Sequence, residues 1–366
     1  MKSVIVVGAG IWGSSLALRL AETGWQVTLV EQHTPGHVRQ ASAGETRLLR
    51  SAHGTDEWYA RLSRTARQGW LDLGERIGEP LYHEHGTVWF AREEHGWERA
   101  SAGVLGSLGI PHELLDPADG RRFFPDFAPD GLAFLLWEPE AGVLRARRAT
   151  QVIARLAVQA GVRLVTGRAV PYGEAVSVAG EVLRADRVVW AGGAWLPALF
   201  PELPLVVTKQ DTLHFDVAWR GTPAWVDYDV SAYGHGDVDG VGMKCTSDAE
   251  GLPYEPEEGS RTVDRESVAA ASAYLGRRFP ALAGSRVLFS QVCQYALTPD
   301  AEWIIHETAP GVWVLGGDSG HGFKHAPALA GYVAGLLDGE YAPEPRFGLH
   351  ERTPARGLRT SGFTDG

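Results

Sequence analysis

The 366-residue sequence is poor in sulfur and carries no excess of basic side chains. Its two cysteines, Cys245 and Cys293, are too few for a disulfide framework and indicate a reducing compartment. The formal net charge of −11 argues against nucleic acid or an anionic membrane surface as a general partner. No apolar run approaches the length of a membrane span, so we expect a cytoplasmic protein without membrane contact.

The overall amino-acid composition is typical of a globular protein. Hydrophobic residues make up 44% of the chain and charged residues 22%, and the length suffices for two domains. The apolar start superficially resembles a signal peptide, but Gly8 and Gly10 interrupt it. We therefore read that stretch as the first strand of the fold.

The most informative segment covers residues 4–31. A short apolar strand enters a turn with glycines at positions 8, 10 and 13, a helical pattern follows, and a second strand ends on Glu31. This G-x-G-x-x-G turn between strand and helix is the dinucleotide-binding fingerprint, in which Glu31 accepts hydrogen bonds from a ribose. The turn alone would be weak evidence, whereas the complete unit predicts a bound ADP-containing cofactor on the first helix.

Alternating strand and helix patterns occur twice more along the chain. Helical periodicity is predicted over residues 59–77, 147–160 and 326–337. Short apolar strands are predicted at 86–91, 162–165, 188–190 and 312–315, and a strand-rich region from about 205 to 290. The nucleotide-binding unit is therefore expected from three separated pieces, with a second unit inserted twice.

Five motifs give the chain a specific resemblance over roughly residues 3–350. They are GAGIWG (8–13), GETRLLR (44–50), AYG with GMKC (232–245), VCQYALTPD (292–300) and SGHGFK (319–324). In their order and spacing the chain resembles amine oxidases of the monomeric sarcosine oxidase and N-methyltryptophan oxidase group. That group belongs to the D-amino-acid-oxidase-like flavoprotein superfamily.

The resemblance implies an α/β fold. It predicts an FAD-binding Rossmann-like domain of the glutathione-reductase type, with an inserted α+β substrate domain built on an antiparallel sheet. We expect the FAD-binding domain at 1–80, 143–205 and 286–366, and the substrate domain at 81–142 and 206–285. The family habit also suggests a monomer whose partners are a small amine or amino acid and O₂.

The resemblance assigns the flavin-side chemistry to four residues. Cys293 matches the cysteine that is bonded to FAD, a reaction that needs a thiolate beside positive charge. Lys244 matches the lysine that activates oxygen, where a fixed ammonium stabilises a superoxide-like anion. Tyr233 matches an active-site tyrosine that also contacts substrate. Arg47 is expected close to the flavin, in both a catalytic and a cofactor-binding role.

The resemblance implies that Arg50 and Lys324 bind the substrate carboxylate, a role that suits arginine because its fork matches a carboxylate with two parallel hydrogen bonds. The glycine-rich turn can aim backbone N–H groups at the flavin ring. No metal ligands are predicted. The full set of expected cofactor-binding residues is Gly8, Gly10, Gly13, Glu31, Arg47, Val170, Gly193, Cys293, Gly317, Gly320, His321, Gly322, Phe323 and Lys324.

The expected reaction is oxidation of the C–N bond of a secondary amino acid, N-methyl or cyclic, to an imine, with O₂ reduced to H₂O₂. Two departures from the family pattern argue against sarcosine itself. Ala43 stands where many members have histidine, and a second histidine is replaced around Thr246–Asp248.

The alternatives are an oxidase or dehydrogenase of another amine or imino acid in a specialised biosynthetic pathway, and a non-catalytic flavoprotein. A nicotinamide enzyme is disfavoured by the interrupted layout.

Overall fold

The structure is a computed structural model, and it describes residues 2–353. Its strands are β1 (Ser3–Val7), β2 (Gln26–Glu31), β3 (Thr46–Leu49), β4 (Tyr82–His83), β5 (Thr87–Ala91), β6 (Glu113–Leu115), β7 (Phe134–Glu138), β8 (Gly142–Arg145), β9 (Arg163–Thr166), β10 (Ala169–Tyr172), β11 (Ala175–Val178), β12 (Glu181–Leu183), β13 (Arg187–Trp190), β14 (Val206–Phe215), β15 (Ala224–Asp227), β16 (Ala232–His235), β17 (Met243–Ser247), β18 (Val287–Leu297), β19 (Ile304–Ala309) and β20 (Val312–Gly316). Its α-helices are α1 (Ile11–Glu22), α2 (Glu57–Ile77), α3 (Trp97–Ser107), α4 (Ala146–Gln159), α5 (Leu196–Leu199), α6 (Arg265–Arg278) and α7 (Ala326–Asp338). Within these residues no helix is both long and apolar enough to cross a membrane.

A six-stranded sheet in the order β19-β20-β13-β1-β2-β9 contains the glycine fingerprint. All its pairings are parallel except that of β19 with β20. Alternate residues of β1 enter different cores: Val4 and Val6 pack with α1, α4 and α7, whereas Ile5 and Val7 pack towards the small sheet β10-β11-β12. A parallel strand that is buried on both faces is uniformly apolar, so β1 could be predicted from its run of apolar residues.

The strands of this sheet come from three separated parts of the chain, as expected from the sequence. Each predicted element is present: the helices over 59–77, 147–160 and 326–337 correspond to α2, α4 and α7. Met1 and residues 354–366, which the predicted division assigns to the FAD-binding domain, lie outside the described residues.

The second large sheet has eight strands in the order β18-β14-β17-β16-β15-β5-β7-β6. It is antiparallel except for the parallel pair β5 and β15. Strand β18 lies here, paired along β14, although the predicted boundary at residue 286 groups it with the FAD-binding domain. Alternating apolar residues define a strand but not its partner, so the sequence could not assign β18 to a sheet.

The region from about 205 to 290 is not all strand, because the 14-residue helix α6 lies within it. Only Ala271, Tyr274, Leu275 and Arg278 of this helix are buried. Its apolar periodicity is therefore weak, and the strand prediction for this region was wrong at that helix. The helix packs against the eight-stranded sheet through a core that includes Phe279.

The arginine motif GETRLLR forms strand β3, which pairs with β8 in a small sheet of the order β3-β8-β4. Arg47 lies within this strand, and Arg50 follows its last residue. The strand contacts the turn that precedes α7, so the arginines lie next to the glycine-rich motif 270 residues later in the chain. The contact of β3 with this turn therefore places the arginine motif next to the glycine-rich motif.

Candidate active site

A deep cavity runs along the carboxyl ends of β1, β2 and β13, where α/β sheets bind their ligands. Nine of the expected cofactor-binding residues line it: Gly8, Gly10, Glu31, Arg47, Val170, Gly193, Gly317, Gly320 and Phe323. The other five, Gly13, Cys293, His321, Gly322 and Lys324, do not line the cavity itself.

The glycine turn has the geometry that the fingerprint requires. Gly8 has φ +103°, and a Cβ there would lie 2.5 Å from the Ala191 carbonyl oxygen. A Cβ on Gly13 would lie 1.9 Å from the Gly8 carbonyl oxygen, so the helix approaches the strand too closely for any side chain. Gly10 caps α1 and faces the cavity. The Ile11 N–H donates to the Ser42 hydroxyl at 3.0 Å, so the N–H groups that follow it in the first turn are those left for a phosphate.

Glu31 is almost fully buried, with 6% of its surface exposed. Its Oε2 accepts a hydrogen bond from the Ala9 N–H at 2.8 Å, and its Oε1 accepts one from the His33 N–H at 2.9 Å. These bonds fix the carboxylate at the end of β2, and each oxygen keeps a further lone pair. The residue is thus oriented to accept hydrogen bonds from a sugar hydroxyl in the cavity.

Sequence reasoning missed Gln294, which lines the cavity next to Cys293. Its amide nitrogen donates to the Arg39 carbonyl oxygen at 2.7 Å. Its Oε1 is buried and has no hydrogen-bond partner among the described residues. A buried acceptor without a donor is unfavourable, and a ligand N–H or O–H in the cavity would satisfy it. The glycine turn, the Glu31 carboxylate and the unpaired Gln294 oxygen together fit a dinucleotide such as FAD.

Cys293 is buried in β18, opposite Gln210 of β14. The Arg47 guanidinium donates to its sulfur at 3.1 Å and to the Ala41 carbonyl oxygen at 2.5 Å. Arg47 also lies over the ring of Phe323, 5.9 Å from its centroid. The structure therefore brings positive charge directly to the sulfur, as attachment of a flavin requires.

Lys244 is buried in β17, with 1% of its surface exposed. Burial lowers the pKa of its ammonium to about 7, and the nearby Arg47 acts in the same direction. The ammonium lies 4.8 Å from the centroid of the Tyr233 ring. Lys244, the predicted oxygen-activating lysine, and Tyr233, the predicted active-site tyrosine, are therefore adjacent in a site where charge is weakly screened.

A short hydrogen-bonded series joins this pair to a carboxylate. Tyr233 bonds to Tyr295, whose hydroxyl donates to Asp248 at 2.9 Å. Burial raises the pKa of Tyr233, so the phenol stays neutral at physiological pH. The Asp248 charge also raises the pKa of Lys244. Asp248 stands in the segment where the family pattern has histidine, and it makes this pocket more acidic.

Arg50 and Lys324, the predicted carboxylate-binding cations, each donate a hydrogen bond to a backbone carbonyl oxygen. The guanidinium of Arg50 donates to the Ala52 carbonyl oxygen at 2.5 Å and lies 5.0 Å from the centroid of Trp89. Lys324 is 3% exposed, and its ammonium donates to the His321 carbonyl oxygen at 2.7 Å. Both cations lower the pKa of His53, which burial depresses most strongly. The two predicted carboxylate-binding cations therefore act on the same imidazole.

The glycine-rich turn before α7 is anchored to the first helix. Gly317 and Gly320 have φ of +66° and +70°, where only glycine is unstrained. The Trp12 indole N–H donates to the Gly322 carbonyl oxygen at 3.0 Å, and a Cβ on Gly322 would lie 2.3 Å from the Trp12 ring. Gly322 therefore serves close packing, whereas Gly317 and Gly320 face the cavity.

Comparison with known proteins gives one consistent family. Residues 3–336 match the family model described as DAO, FAD dependent oxidoreductase. The chain is 31% identical to monomeric sarcosine oxidase of Streptomyces avermitilis, over 91% of this chain and 92% of that one. It is 26% identical to N-methyl-L-tryptophan oxidase of Yersinia pestis, over 91% and 94%. The crystal structure of L-proline dehydrogenase from P. horikoshii has the same fold, with a TM-score of 0.85, 22% identity and 99% coverage of both chains.

Proposed function

The chain belongs to the family of FAD-dependent oxidoreductases that includes monomeric sarcosine oxidase, and from that premise we propose that it oxidises a secondary amino acid. The substrate would be N-methylated or cyclic, its C–N bond would become an imine, and O₂ would become H₂O₂. Bound FAD supplies the two-electron acceptor. The observation that carries the proposal is the placement of the cations: Lys324 directly follows Phe323, which lines the cavity, Arg50 acts with Lys324 on His53, and the buried Lys244 is influenced by Arg47, which also lines the cavity.

Arg50 and Lys324 would hold the substrate carboxylate. A bidentate guanidinium and a point-charge ammonium are complementary to a single carboxylate group, and burial strengthens both interactions. Fixing the carboxylate orients the neighbouring C–H towards the cofactor, and this positioning lowers the entropic part of the barrier. The curated relatives' names, sarcosine oxidase and N-methyl-L-tryptophan oxidase, support a secondary amine on that carbon.

Lys244 would stabilise negative charge that forms on oxygen. Its ammonium is buried and its counter-charges are few, so the interaction with a developing anion is strong. Asp248 would set how much of Lys244 is protonated, since its charge raises the pKa of Lys244. The amine can be oxidised as the free base, and the proposal needs no side chain as a general base.

Cys293 would attach the cofactor covalently. The guanidinium of Arg47 at 3.1 Å supports this assignment, because it compensates charge on the sulfur during attachment. Acid denaturation tests it: yellow colour is expected to stay with the wild-type polypeptide and to leave with Cys293→Ser. Cys245→Ser is the matched control, since Cys245 is buried in a different core. Colour that leaves the wild type would refute the attachment.

A peroxide-coupled assay over N-methyl and cyclic amino acids tests the reaction. We expect H₂O₂ with at least one of these compounds and a strongly raised KM in Lys324→Gln. Anaerobic mixing separates the second candidate, a dehydrogenase that passes electrons to a partner protein. In that enzyme substrate would bleach the flavin, and air would restore it only slowly. A flavin that no compound bleaches would refute both readings and leave a non-catalytic flavoprotein.

A further inference from the structure

Three histidines meet beside Lys324, and none of them lines the cofactor cavity. His53, His321 and His325 each offer one ring nitrogen, and the three nitrogens lie within 4.8 Å of one another. His53 follows the arginine motif, whereas the other two come from the glycine-rich turn and the start of α7. The proposed oxidation gives none of these imidazoles a chemical step.

The opposite ring nitrogens are fixed by other groups. His53 Nδ1 lies 3.0 Å from the Ser51 carbonyl oxygen, and His321 Nε2 lies 3.0 Å from the Ala301 carbonyl oxygen. A carbonyl only accepts, so these nitrogens carry the proton and the other nitrogen of each ring presents a lone pair. His325 Nδ1 lies 3.4 Å from the Ser63 hydroxyl. Histidines that bind metals are oriented in the same way, by an outer hydrogen bond to a carbonyl or similar group.

Two ring nitrogens of the cluster are buried without a hydrogen-bond partner among the described residues. They are the Nε2 atoms of His53 and His325. The ring of His325 is completely buried. A buried polar atom without a partner is destabilising, and two of them in one cluster indicate a missing ligand.

The ring spacing fits a shared ion. The centroids of the three rings lie 5.4, 6.2 and 6.3 Å apart. An ion bonded to three imidazole nitrogens at about 2.0–2.1 Å holds the ring centroids roughly 5–6 Å apart. Small side-chain movements would therefore complete the site.

We propose that His53, His321 and His325 bind one transition-metal ion of the Zn²⁺ class. Imidazole ligands favour zinc, copper or nickel over calcium and magnesium, which prefer oxygen. Three protein ligands leave one coordination position for water or another small ligand. His53 and His321 are half-buried, so the ion can enter from their side.

Lys324 and Arg50 make binding of this ion dependent on the carboxylate site. Lys324 directly precedes His325, and its ammonium donates to the His321 carbonyl oxygen at 2.7 Å. The charge of Lys324 repels a dication. A carboxylate bound to Lys324 and Arg50 would reduce that repulsion, so metal and substrate should each strengthen the binding of the other. This coupling rests on the proposed function, whereas the metal site does not.

Zinc titration of the tag-free, chelator-treated holoenzyme tests the site. Calorimetry and elemental analysis after dialysis should give one Zn²⁺ per chain. His325→Ala and the milder His53→Gln should lose it, with flavin absorption reporting intact folding. His37→Ala is the control, because His37 stacks on His33 elsewhere in the structure. Absence of stoichiometric zinc, or zinc that survives both cluster variants, would overturn the proposal.

Lys324→Gln tests the electrostatic part. Removing one unit charge next to the ion should tighten zinc binding by about tenfold or more. An unchanged affinity would place the ion away from Lys324 and refute this site. The peroxide assay is independent of this titration: its failure would refute the oxidase and leave the zinc result standing.

Discussion

At the scale of single residues, the site contains buried charged side chains, and the pKa of Lys244 depends on the charges around it. Burial and the charge of Arg47 lower the pKa of Lys244, whereas the charge of Asp248 raises it. Lys244 and Arg47 were predictable as site residues because they lie in specific motifs. Gln294 and the unpaired nitrogens of His53 and His325 were not predictable, because a glutamine in a strand or a single histidine has no distinguishing sequence pattern.

Lys244 should give flavin reoxidation a step near neutral pH. The ammonium is present below its pKa of about 7 and is lost as the pH rises through that value. The second-order rate constant with O₂ should therefore fall with rising pH, and Lys244→Met should lower it by about 10²-fold or more at low pH. Stopped-flow mixing of reduced enzyme with O₂ measures both effects.

Asp248→Asn is the companion variant. Loss of this charge lowers the pKa of Lys244 further, so the step should move to lower pH. Lys209→Met is a matched control, because Lys209 pairs with Asp211 and Asp264 outside the site. A pH step that persists in Lys244→Met would contradict the assignment.

At the scale of elements, close packing explains which parts of the sequence were informative. The contact of α1 with β1 admits no side chain at Gly13, and such a requirement leaves a visible motif. Helix α6 and the sheet membership of β18 depend on partners that follow no local rule, so the sequence did not reveal them. The six-stranded sheet was predicted almost strand by strand, because uniformly apolar parallel strands and glycine turns are local signals.

Gly13→Ala should prevent correct packing of α1. Its Cβ would meet the Gly8 carbonyl oxygen at 1.9 Å, so the backbone must shift. We expect a loss of about 1–3 kcal/mol in the free energy of unfolding and poor FAD incorporation. Gly331→Ala in α7 is the control, since a Cβ there meets nothing within 4 Å and should raise stability by about 0.5–1 kcal/mol. Chemical denaturation compares them, and equal stabilities would contradict the packing argument.

Asp227 fixes α6 to the eight-stranded sheet. Its carboxylate is fully buried and accepts hydrogen bonds from Arg92, from the Tyr274 hydroxyl at 3.0 Å and from Arg278. Asp227→Ala leaves the buried Arg278 and the half-buried Arg92 without their carboxylate and should lower the free energy of unfolding by about 3–5 kcal/mol.

The exposed pair of Arg286 and Asp216 provides a comparison for Asp227. Asp216→Ala should change the free energy of unfolding by less than about 1 kcal/mol, because solvent screens the pair. Similar losses in the two variants would show that the Asp227 network does not stabilise the α6 contact.

At the scale of the whole molecule, the cavity is shared between the two large sheets. Gly8 and Gly193 belong to turns of the six-stranded sheet, whereas Gln294 and Tyr295 belong to β18 of the other. A ligand in this cavity contacts both, so its binding energy adds to the stability of the complete fold.

Cys293→Ser should therefore make thermal stability depend on free FAD. If the attachment is lost, FAD at about 100 times its Kd stabilises the fold by about 2.7 kcal/mol. We expect Tm of the variant to rise with added FAD and Tm of the wild type to stay constant. Thermal unfolding followed by circular dichroism measures this difference. A variant Tm that does not respond to FAD would contradict the shared-cavity argument.

The strand order of the six-stranded sheet also has a consequence for biosynthesis. Strand β1 is made about 300 residues before β20, yet only β13 separates them in the finished sheet. At about 5–20 residues per second, translation takes roughly 15–60 s to cover that distance. Until β13 is made, about 180 residues after β1, the apolar edge of β1 lacks its partner, and for the rest of the interval the edge of β13 lacks β20. The nascent chain is therefore a natural client for chaperones, and the rate of translation through its middle part should influence how much enzyme reaches the folded state.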